Sequence, residues 1–266
     1  MSTFSGLIPA LLFLLLLLPS GCSPGNEGKK AARRVFPKAP VILISIDTLR
    51  SDRLPFYGYG GVETPALSAL RADSILFENA WSHVPMTLPS HAALFTGLLP
   101  DRNGVHDNLG YTLNPRVPTL AELLGKAGYA TGGAVTSRVM NGNSGIGRGF
   151  DLWDDDIYAS RSFQGFGSVQ RPGDDARASM EAWIEGQGDR PFFAFLHLYE
   201  PHTPYEPIEP FKSRYADPYD GEIATVDAIT GRFLDFLKAK GIYDRALVIL
   251  LSDHGEGLGD HGVVGA

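Results

Sequence analysis

The sequence predicts an α/β fold in which helices sandwich a mainly parallel central sheet. Three long apolar runs suit strands buried on both faces of such a sheet, and segments with helical patterns separate them. The runs are VILISID at 41–47, PFFAFLHL at 191–198 and ALVILLSD at 246–253. Strands that alternate with helices are typical of α/β proteins with a parallel sheet.

An apolar run opens the chain and leads to its only cysteine. The run LIPALLFLLLLLP at 7–19 is shorter than the about 20 apolar residues of a membrane-spanning helix, and it suits the apolar region of a secretory signal peptide. Cys22 follows in PSGCS, which resembles the lipobox of bacterial lipoproteins. We therefore expect a signal peptide over residues 1–22, lipidation at Cys22, and export to the bacterial cell envelope with a lipid anchor in the membrane. An ordinary cleaved signal and an uncleaved anchor are the alternatives.

Local signals predict the remaining elements. Residues 23–40 are polar, basic and proline-bearing, which predicts a flexible tether before a folded domain at 41–266. Thr64 is the predicted N-cap of the first helix, and Thr119 with Glu122 forms a predicted capping box. The predicted helices lie at 64–72, from near Pro89, at 119–128, at 174–186 and at 219–241, where Gly128 and Gly241 end two of them. Shorter apolar stretches predict strands at 74–81 and 129–135.

Two of the apolar runs end in aspartate. Asp47 ends the first and Asp253 the last, and His254 follows directly. Ligands of open α/β sheets lie at the carboxyl ends of strands, and two carboxylates with one imidazole suit a divalent metal. Each aspartate could instead cap the loop or helix after its strand. The pair together with His254 favours the metal.

A lone hydroxyl precedes the predicted helix at Pro89. It belongs to Thr87 in PMTLPSHAALFTG, residues 85–97. Taken alone, Thr87 is predicted to cap that helix, because threonine is a favoured N-cap residue. A second polar residue, His197, interrupts the apolar run at 191–198, and it is expected to be buried and bonded to the backbone.

The segment TLPSHAALFTG resembles the sulfatase signature through Pro89, Ser90, Thr96 and Gly97. Further segments resemble the same family in the same order, from about residue 40 to the end of the chain: TLAELLGKAGYAT, RGFDLWDDD, FLHLYEPHTPYEP and SDHGEGLGDHG. The resemblance implies the alkaline-phosphatase-like superfamily and its α/β fold. It also implies an enzyme that hydrolyses or transfers anionic esters.

The resemblance implies roles at the strand ends. Asp47, Asp253 and His254 match metal ligands, and Thr87 stands at the nucleophile position beside the metal. His202, in EPHTPY, matches a histidine that contacts the anionic group of the substrate. With this set, Thr87 is expected to be the nucleophile and a metal ligand rather than only a helix cap, since a metal can deprotonate its hydroxyl.

Weaker matches extend the expected substrate site. Arg138 lies roughly where a family lysine or arginine approaches the anionic group, and His261 is an expected outer ligand or proton donor. His91 is an expected substrate contact or, equally, a residue that packs on the helix face.

Three positions depart from the sulfatase pattern. Sulfatases convert a cysteine or serine to formylglycine, whereas Thr87 cannot form that aldehyde. His91 replaces the arginine of the signature, and Thr48 replaces one of two adjacent aspartates. A threonine nucleophile beside aspartate and histidine resembles the phosphoglycerol and phosphoethanolamine transferases and the nucleotide phosphodiesterases of the superfamily. We therefore expect phosphoesters to be favoured over sulfate esters, with a phospho-threonine intermediate.

The donor set limits the candidate metals, and the composition limits the candidate partners. Zinc or manganese suits imidazole with carboxylates, and calcium is the sulfatase alternative. A net charge of −7 argues against a nucleic-acid partner. Because the chain ends just after the last motif, we expect a catalytic domain that is incomplete at its C-terminus. A lipid-anchored, catalytically incomplete binding protein is the alternative function.

The lipobox-like segment generates a first prediction. Cys22→Ala should move the protein from the membrane fraction to the soluble envelope fraction, because the only lipidation site is lost. Immunoblots of salt-washed fractions measure this, with wild-type protein as the reference. Retention of the variant on washed membranes would indicate an uncleaved anchor instead.

Overall fold

A computed structural model describes residues 36–157 and 170–265, and in these residues a five-stranded parallel sheet forms the centre of the fold. Cys22 and the expected signal peptide lie outside the described residues. The sheet consists of β1 (Val41–Ile46), β2 (Ala130–Ala134), β3 (Leu152–Asp154), β4 (Phe192–Leu198) and β5 (Leu247–Ser252). Two short strands, β6 (Gly257–Leu258) and β7 (Val264–Gly265), pair with each other in antiparallel fashion.

Helices connect these strands. They are α1 (Pro65–Ala72), α2 (Thr87–Thr96), α3 (Pro100–Asn103), α4 (Leu120–Lys126), α5 (Gly173–Glu185), α6 (Phe211–Arg214) and α7 (Pro218–Ala239). No helix of residues 36–157 or 170–265 has the length and hydropathy that crossing a membrane requires.

The strand order β3–β2–β4–β1–β5 puts the first apolar run between the other two. Ile46, the last residue of β1, is level with Leu198 on β4 and with Ser252 on β5. Asp47 and Asp253 each follow their strand by one residue, so the register brings them side by side. The backbone N–H of Asp47 continues the ladder by donating to the Leu198 carbonyl at 2.8 Å.

Two apolar clusters cover the opposite faces of the sheet. Alternate residues of β1 and β4 point to each face, as the period of two in a strand requires. One face packs against α1, α5 and α7, and the other packs against α2 and α4. Ser45 and His197, which are level with each other, lie on the α2 face and are both fully buried. They are therefore polar positions within an apolar layer.

The predicted fold class is confirmed, and most predicted elements are present at shifted bounds. The capping box of Thr119 and Glu122 is formed in both directions. Gly128 and Gly241, at φ of 89° and 63°, lie just beyond their helices in the left-handed conformation that glycine tolerates best. The short strand β3 lies in a segment for which no strand was predicted.

The predicted strand at 74–81 is wrong. The structure has no strand there, and the side chains of Ile75, Phe77 and Trp81 are 84%, 72% and 84% exposed. An apolar sequence forms a strand only where a neighbouring strand accepts its backbone hydrogen bonds and a packed face covers its side chains. This segment has neither in the described structure.

The predicted cap at Thr87 is wrong, and the predicted cap at Thr64 is confirmed in its position only. Helix α2 begins at Thr87, two residues before Pro89, and its N-cap is Met86, with no side-chain capping bond. Thr64 occupies the N-cap position of α1, but its side chain makes no capping bond either. Asp227 of α7 performs that role from a distance, because its carboxylate accepts from the backbone N–H groups of Ala66 and Leu67 at 3.2 and 2.8 Å.

The capping carboxylate generates a stability prediction. Asp227→Ala should lower the free energy of unfolding by about 1–3 kcal/mol, because it leaves two buried helix N–H groups without an acceptor. Thr64→Val, which keeps the side-chain volume at the formal N-cap, should cost clearly less. Urea unfolding followed by circular dichroism measures both. Equal losses in the two variants would contradict the assignment of the cap to Asp227.

Candidate active site

Four side chains meet at the carboxyl ends of β1 and β5 and at the first residue of α2. They belong to Asp47, Thr87, Asp253 and His254, and all four are buried. The Thr87 Oγ1 atom lies 3.2 Å from His254 Nε2 and 3.5 and 3.4 Å from the two carboxylate oxygens of Asp47. The His254 Nε2 atom lies 3.6 Å from Asp47 Oδ1 and 3.5 Å from Asp253 Oδ2. The structure therefore brings together the four residues that the sequence predicted for the centre.

A tight turn after β1 fixes the first aspartate. Thr48 adopts a φ of 54°, which costs a non-glycine residue roughly 1–2 kcal/mol. In this conformation its N–H donates to Asp253 Oδ1 at 3.2 Å, and its carbonyl accepts from the Tyr219 hydroxyl at 2.7 Å. The strained turn is thus tied to both β5 and α7. The Thr48 hydroxyl itself is buried and has no hydrogen-bond partner in residues 36–157 and 170–265.

Thr87 is presented by the N-terminus of α2. The helix is attached to the end of β5, because the Ser90 hydroxyl donates to the Asp253 carbonyl at 2.8 Å. The Leu88 N–H donates to the side chain of Asn108 at 2.9 Å. The helix dipole places partial positive charge at this end, which favours a deprotonated hydroxyl or an anion near Thr87.

Two buried carboxylates lie close together in this centre. Burial, together with the neighbouring charge of Asp47, raises the pKa of Asp253. Burial alone lowers the pKa of His254, but the carboxylates of Asp253 and Asp47 outweigh it and the pKa is raised. Within the described structure the Oδ2 atom of Asp253 is buried without a hydrogen-bond partner. Buried charges require pairing, so the pair attracts a cation.

The donor atoms fit a divalent metal. Ligands at about 2.0–2.1 Å in a tetrahedron are roughly 3.3–3.4 Å apart. The separations of Thr87 from Asp47 and His254, and of His254 from both aspartates, are 3.2 to 3.6 Å, and the donor atoms of Asp47, Asp253 and His254 all lie within 4.8 Å of one another. The His254 Nδ1 atom lies 2.9 Å from the Gly255 carbonyl and donates to it. In the neutral ring, which is the form that binds metals, the Nε2 atom therefore directs a lone pair at the centre. Asp47, Thr87, Asp253 and His254 form a candidate metal centre.

Two more imidazoles lie beneath this centre. His91 and His197 are fully buried with ring centroids 5.1 Å apart, and burial lowers the pKa of each to about 4, so both are neutral at pH 7. His91 Nδ1 donates to the Thr87 carbonyl at 2.7 Å, and His91 Nε2 accepts from the Ser45 hydroxyl at 2.9 Å. His91 therefore ties α2 to β1.

The expectation that His91 contacts the substrate needs correction. Its side chain is fully buried, and both ring nitrogens have protein partners. The helix-face alternative describes its position better. His197 is buried as expected, but its Nδ1 partner is the hydroxyl of Thr136, at 3.1 Å, rather than the backbone.

Comparison with known proteins identifies the family. The Sulfatase family model matches residues 40–265. The chain belongs to the sulfatase family. It is 26% identical to human N-acetylgalactosamine-6-sulfatase over 84% of this chain and 51% of that protein, and 22% identical to an arylsulfatase of Clostridium perfringens over 84% and 64%. The chain thus spans about half the length of the human relative.

Solved structures share the fold. A candidate sulfatase from Bacteroides fragilis superimposes with a TM-score of 0.73 at 22% identity, over 87% of this chain and 65% of that one. The phosphonate monoester hydrolase of Agrobacterium radiobacter does so with a TM-score of 0.69 at 23% identity, over 85% and 64%. At these identities the likeness establishes the alkaline-phosphatase-like fold.

Two of the other expected substrate residues of this sulfatase-family chain follow strands of the central sheet, and the third follows β6. His202 lies in the loop after β4, stacks on Tyr199 at 4.3 Å, and lies 2.5 Å through Nδ1 from the Thr203 carbonyl. Arg138 is half-buried in the turn after β2. The backbone of His261 lies in a turn between β6 and β7, and its side chain lies outside the described structure.

The centre generates a metal-binding prediction. Wild-type protein should bind Mn²⁺ or Zn²⁺, and Asp253→Asn should weaken binding by more than about 100-fold, since even indirect partners of metal ligands are worth 10–100-fold. Asp101→Asn, at an exposed site in α3, is the matched control and should bind as wild type does. Isothermal titration calorimetry on metal-free protein measures the affinities. Equal affinity in Asp253→Asn and wild type would contradict the site.

Proposed function

We propose that this chain is the catalytic part of a metal-dependent hydrolase or transferase of anionic esters, with Thr87 as the nucleophile. The carrying observation is the position of Thr87 Oγ1, which is buried within 3.2 to 3.5 Å of His254 Nε2 and the Asp47 oxygens. A threonine that only caps a helix needs no such surroundings, and Thr87 makes no capping bond. Lipidation at Cys22 would hold this catalytic part at the membrane surface.

The metal addresses the weakness of a hydroxyl nucleophile. When bound, a divalent ion lowers the pKa of the Thr87 hydroxyl and neutralises the ester oxygens. Asp47, Asp253 and His254 would hold it, and this donor set favours zinc or manganese, with calcium as the alternative. The helix α2 contributes its N-terminal dipole beside the same hydroxyl.

The residues of the chain support a two-step reaction through an ester of Thr87. Thr87 Oγ attacks the phosphorus or sulfur atom of the ester, and the alcohol leaves with a proton. Water or an acceptor alcohol then attacks the Thr87 ester, which releases the phosphate or transfers it and restores the hydroxyl. His202, from the loop after β4, is the proposed contact of the anionic group.

We favour phosphoesters over sulfate esters on chemical grounds. Threonine cannot become formylglycine, and the position of the signature arginine holds His91, whose ring nitrogens both bond within the protein. A shared fold with a phosphonate monoester hydrolase supports phosphorus chemistry on this scaffold. The curated relatives named above are sulfatases, so sulfate esters remain the competing substrates in the test.

A nucleophile prediction tests the proposal. In the full-length protein, Thr87→Ala should lower turnover by at least about 10³-fold, because the attacking oxygen is lost. Thr87→Ser keeps a hydroxyl at the same position and should retain measurable activity. Rates with nitrophenyl phosphate, bis-nitrophenyl phosphate and nitrophenyl sulfate measure both effects and the ester preference.

Three outcomes of these assays are informative. Wild-type activity in Thr87→Ala would remove Thr87 from the mechanism. Faster turnover of the sulfate by unmodified wild-type protein would overturn the phosphoester preference while leaving the nucleophile in place. Metal binding without turnover of any ester would favour the catalytically incomplete binding protein.

A further inference from the structure

The two aspartates of the candidate metal centre are held in different ways. Asp253 turns Oδ2 toward His254, while its Oδ1 accepts from the backbone N–H groups of Thr48 and His254 at 3.2 and 2.8 Å. The orientation of Asp253 is therefore fixed by the main chain. Asp47 has Oδ1 toward His254 Nε2, and its Oδ2 atom faces the ring of His197.

One ring nitrogen of His197 faces Asp47. This nitrogen, Nε2, lies 3.5 Å from Asp47 Oδ2, in a side chain with no solvent exposure. It is a buried polar atom without a hydrogen-bond partner among the described residues. Such atoms are costly and uncommon in proteins, so this one calls for an explanation. The opposite nitrogen, Nδ1, already contacts the Thr136 hydroxyl at 3.1 Å, and the same hydroxyl lies 3.1 Å from the His197 carbonyl.

The location of the imidazole proton follows from the neighbours of the ring. If the proton were on Nδ1, the lone pair of Nε2 would face a buried carboxylate oxygen and repel it. If the proton is on Nε2, it points at Asp47, which is attractive, and Nδ1 accepts from the Thr136 hydroxyl, whose single proton is then shared with the His197 carbonyl 3.1 Å away. The buried Asp47 carboxylate favours the second arrangement.

We propose that His197 is a positioning residue of the metal centre, whose Nε2–H group attracts the facing oxygen of Asp47 across 3.5 Å so that the other oxygen faces the metal. This inference rests on the proposed metal dependence. Metal-ligating carboxylates are commonly hydrogen-bonded by groups outside the ligand set, and loss of such a partner lowers metal affinity by about 10–100-fold. His197 acts through Asp47 and does not touch the reacting atoms.

A second cation beneath the centre is the competing explanation. His91, His197 and Asp253 also lie close enough together to share an ion. The facing atom of His91 is Nδ1, 3.6 Å from Asp253 Oδ2, and this atom already donates a proton to the Thr87 carbonyl at 2.7 Å. A protonated nitrogen has no lone pair for a metal, so the geometry favours the positioning role.

Two amide substitutions distinguish the roles of the two ring nitrogens of His197. His197→Gln can place an N–H donor near the position of Nε2, whereas His197→Asn reaches only the position of Nδ1. We expect His197→Asn to weaken Mn²⁺ binding by about 10–100-fold and His197→Gln to restore most of the affinity. Calorimetric Mn²⁺ titration measures this, and thermal unfolding of the metal-free variants provides the control for folding.

Equal Mn²⁺ affinity in His197→Asn and wild type would overturn the inference and leave the proposed function intact. A wild-type protein that binds no metal would overturn both. Nitrogen-15 NMR of the imidazole in the unsubstituted protein is a second test that no folding defect can obscure. A proton on Nε2 is the expected result, and a proton on Nδ1 would overturn the inference.

Discussion

Two carboxylates buried side by side are the constraint on which the rest of this structure depends. Asp47 and Asp253 extend from adjacent parallel strands, and neither side chain has appreciable contact with solvent. Like charges in a medium of low dielectric repel strongly, and burial adds to the cost. The surrounding residues lower that cost, and the proposed divalent cation would lower it further and account for the position of Thr87.

The sheet places both carboxylates at an edge where other polar groups converge on them. Because β4, β1 and β5 are parallel neighbours, their carboxyl ends meet at one edge, and the first residues after them converge. On the α2 face, the apolar layer gives way near this edge to Ser45, His91 and His197. These groups orient the centre without adding charge, since both imidazoles are neutral at pH 7. The interior beneath the centre is thus polar but uncharged.

Sequence reasoning predicted the parts of this arrangement that depend on local pattern. Continuous apolar runs indicated the central strands, and an aspartate at the end of two of them indicated the centre. It failed where contacts between distant parts of the chain determine the local structure. Residues 74–81 have the composition of a strand, but no strand lies beside them in the described structure. The cap of α1 by Asp227 and the paired histidines could not be predicted, because strand register and helix packing create those contacts. A signal was present, however, since Ser45 and His197 are polar interruptions of apolar runs.

Two departures from the sulfatase pattern balance each other in this setting. Thr48 replaces an aspartate and removes a negative charge, while His91 replaces an arginine and, being neutral, removes a positive one. The net charge of the centre is therefore the same as with the family residues. A buried arginine facing one carboxylate fewer would be poorly paired, and an extra aspartate beside a neutral imidazole would be worse. In this setting Thr48 keeps its strained turn through backbone bonds, and His91 keeps the attachment of α2 to β1 through its two ring nitrogens.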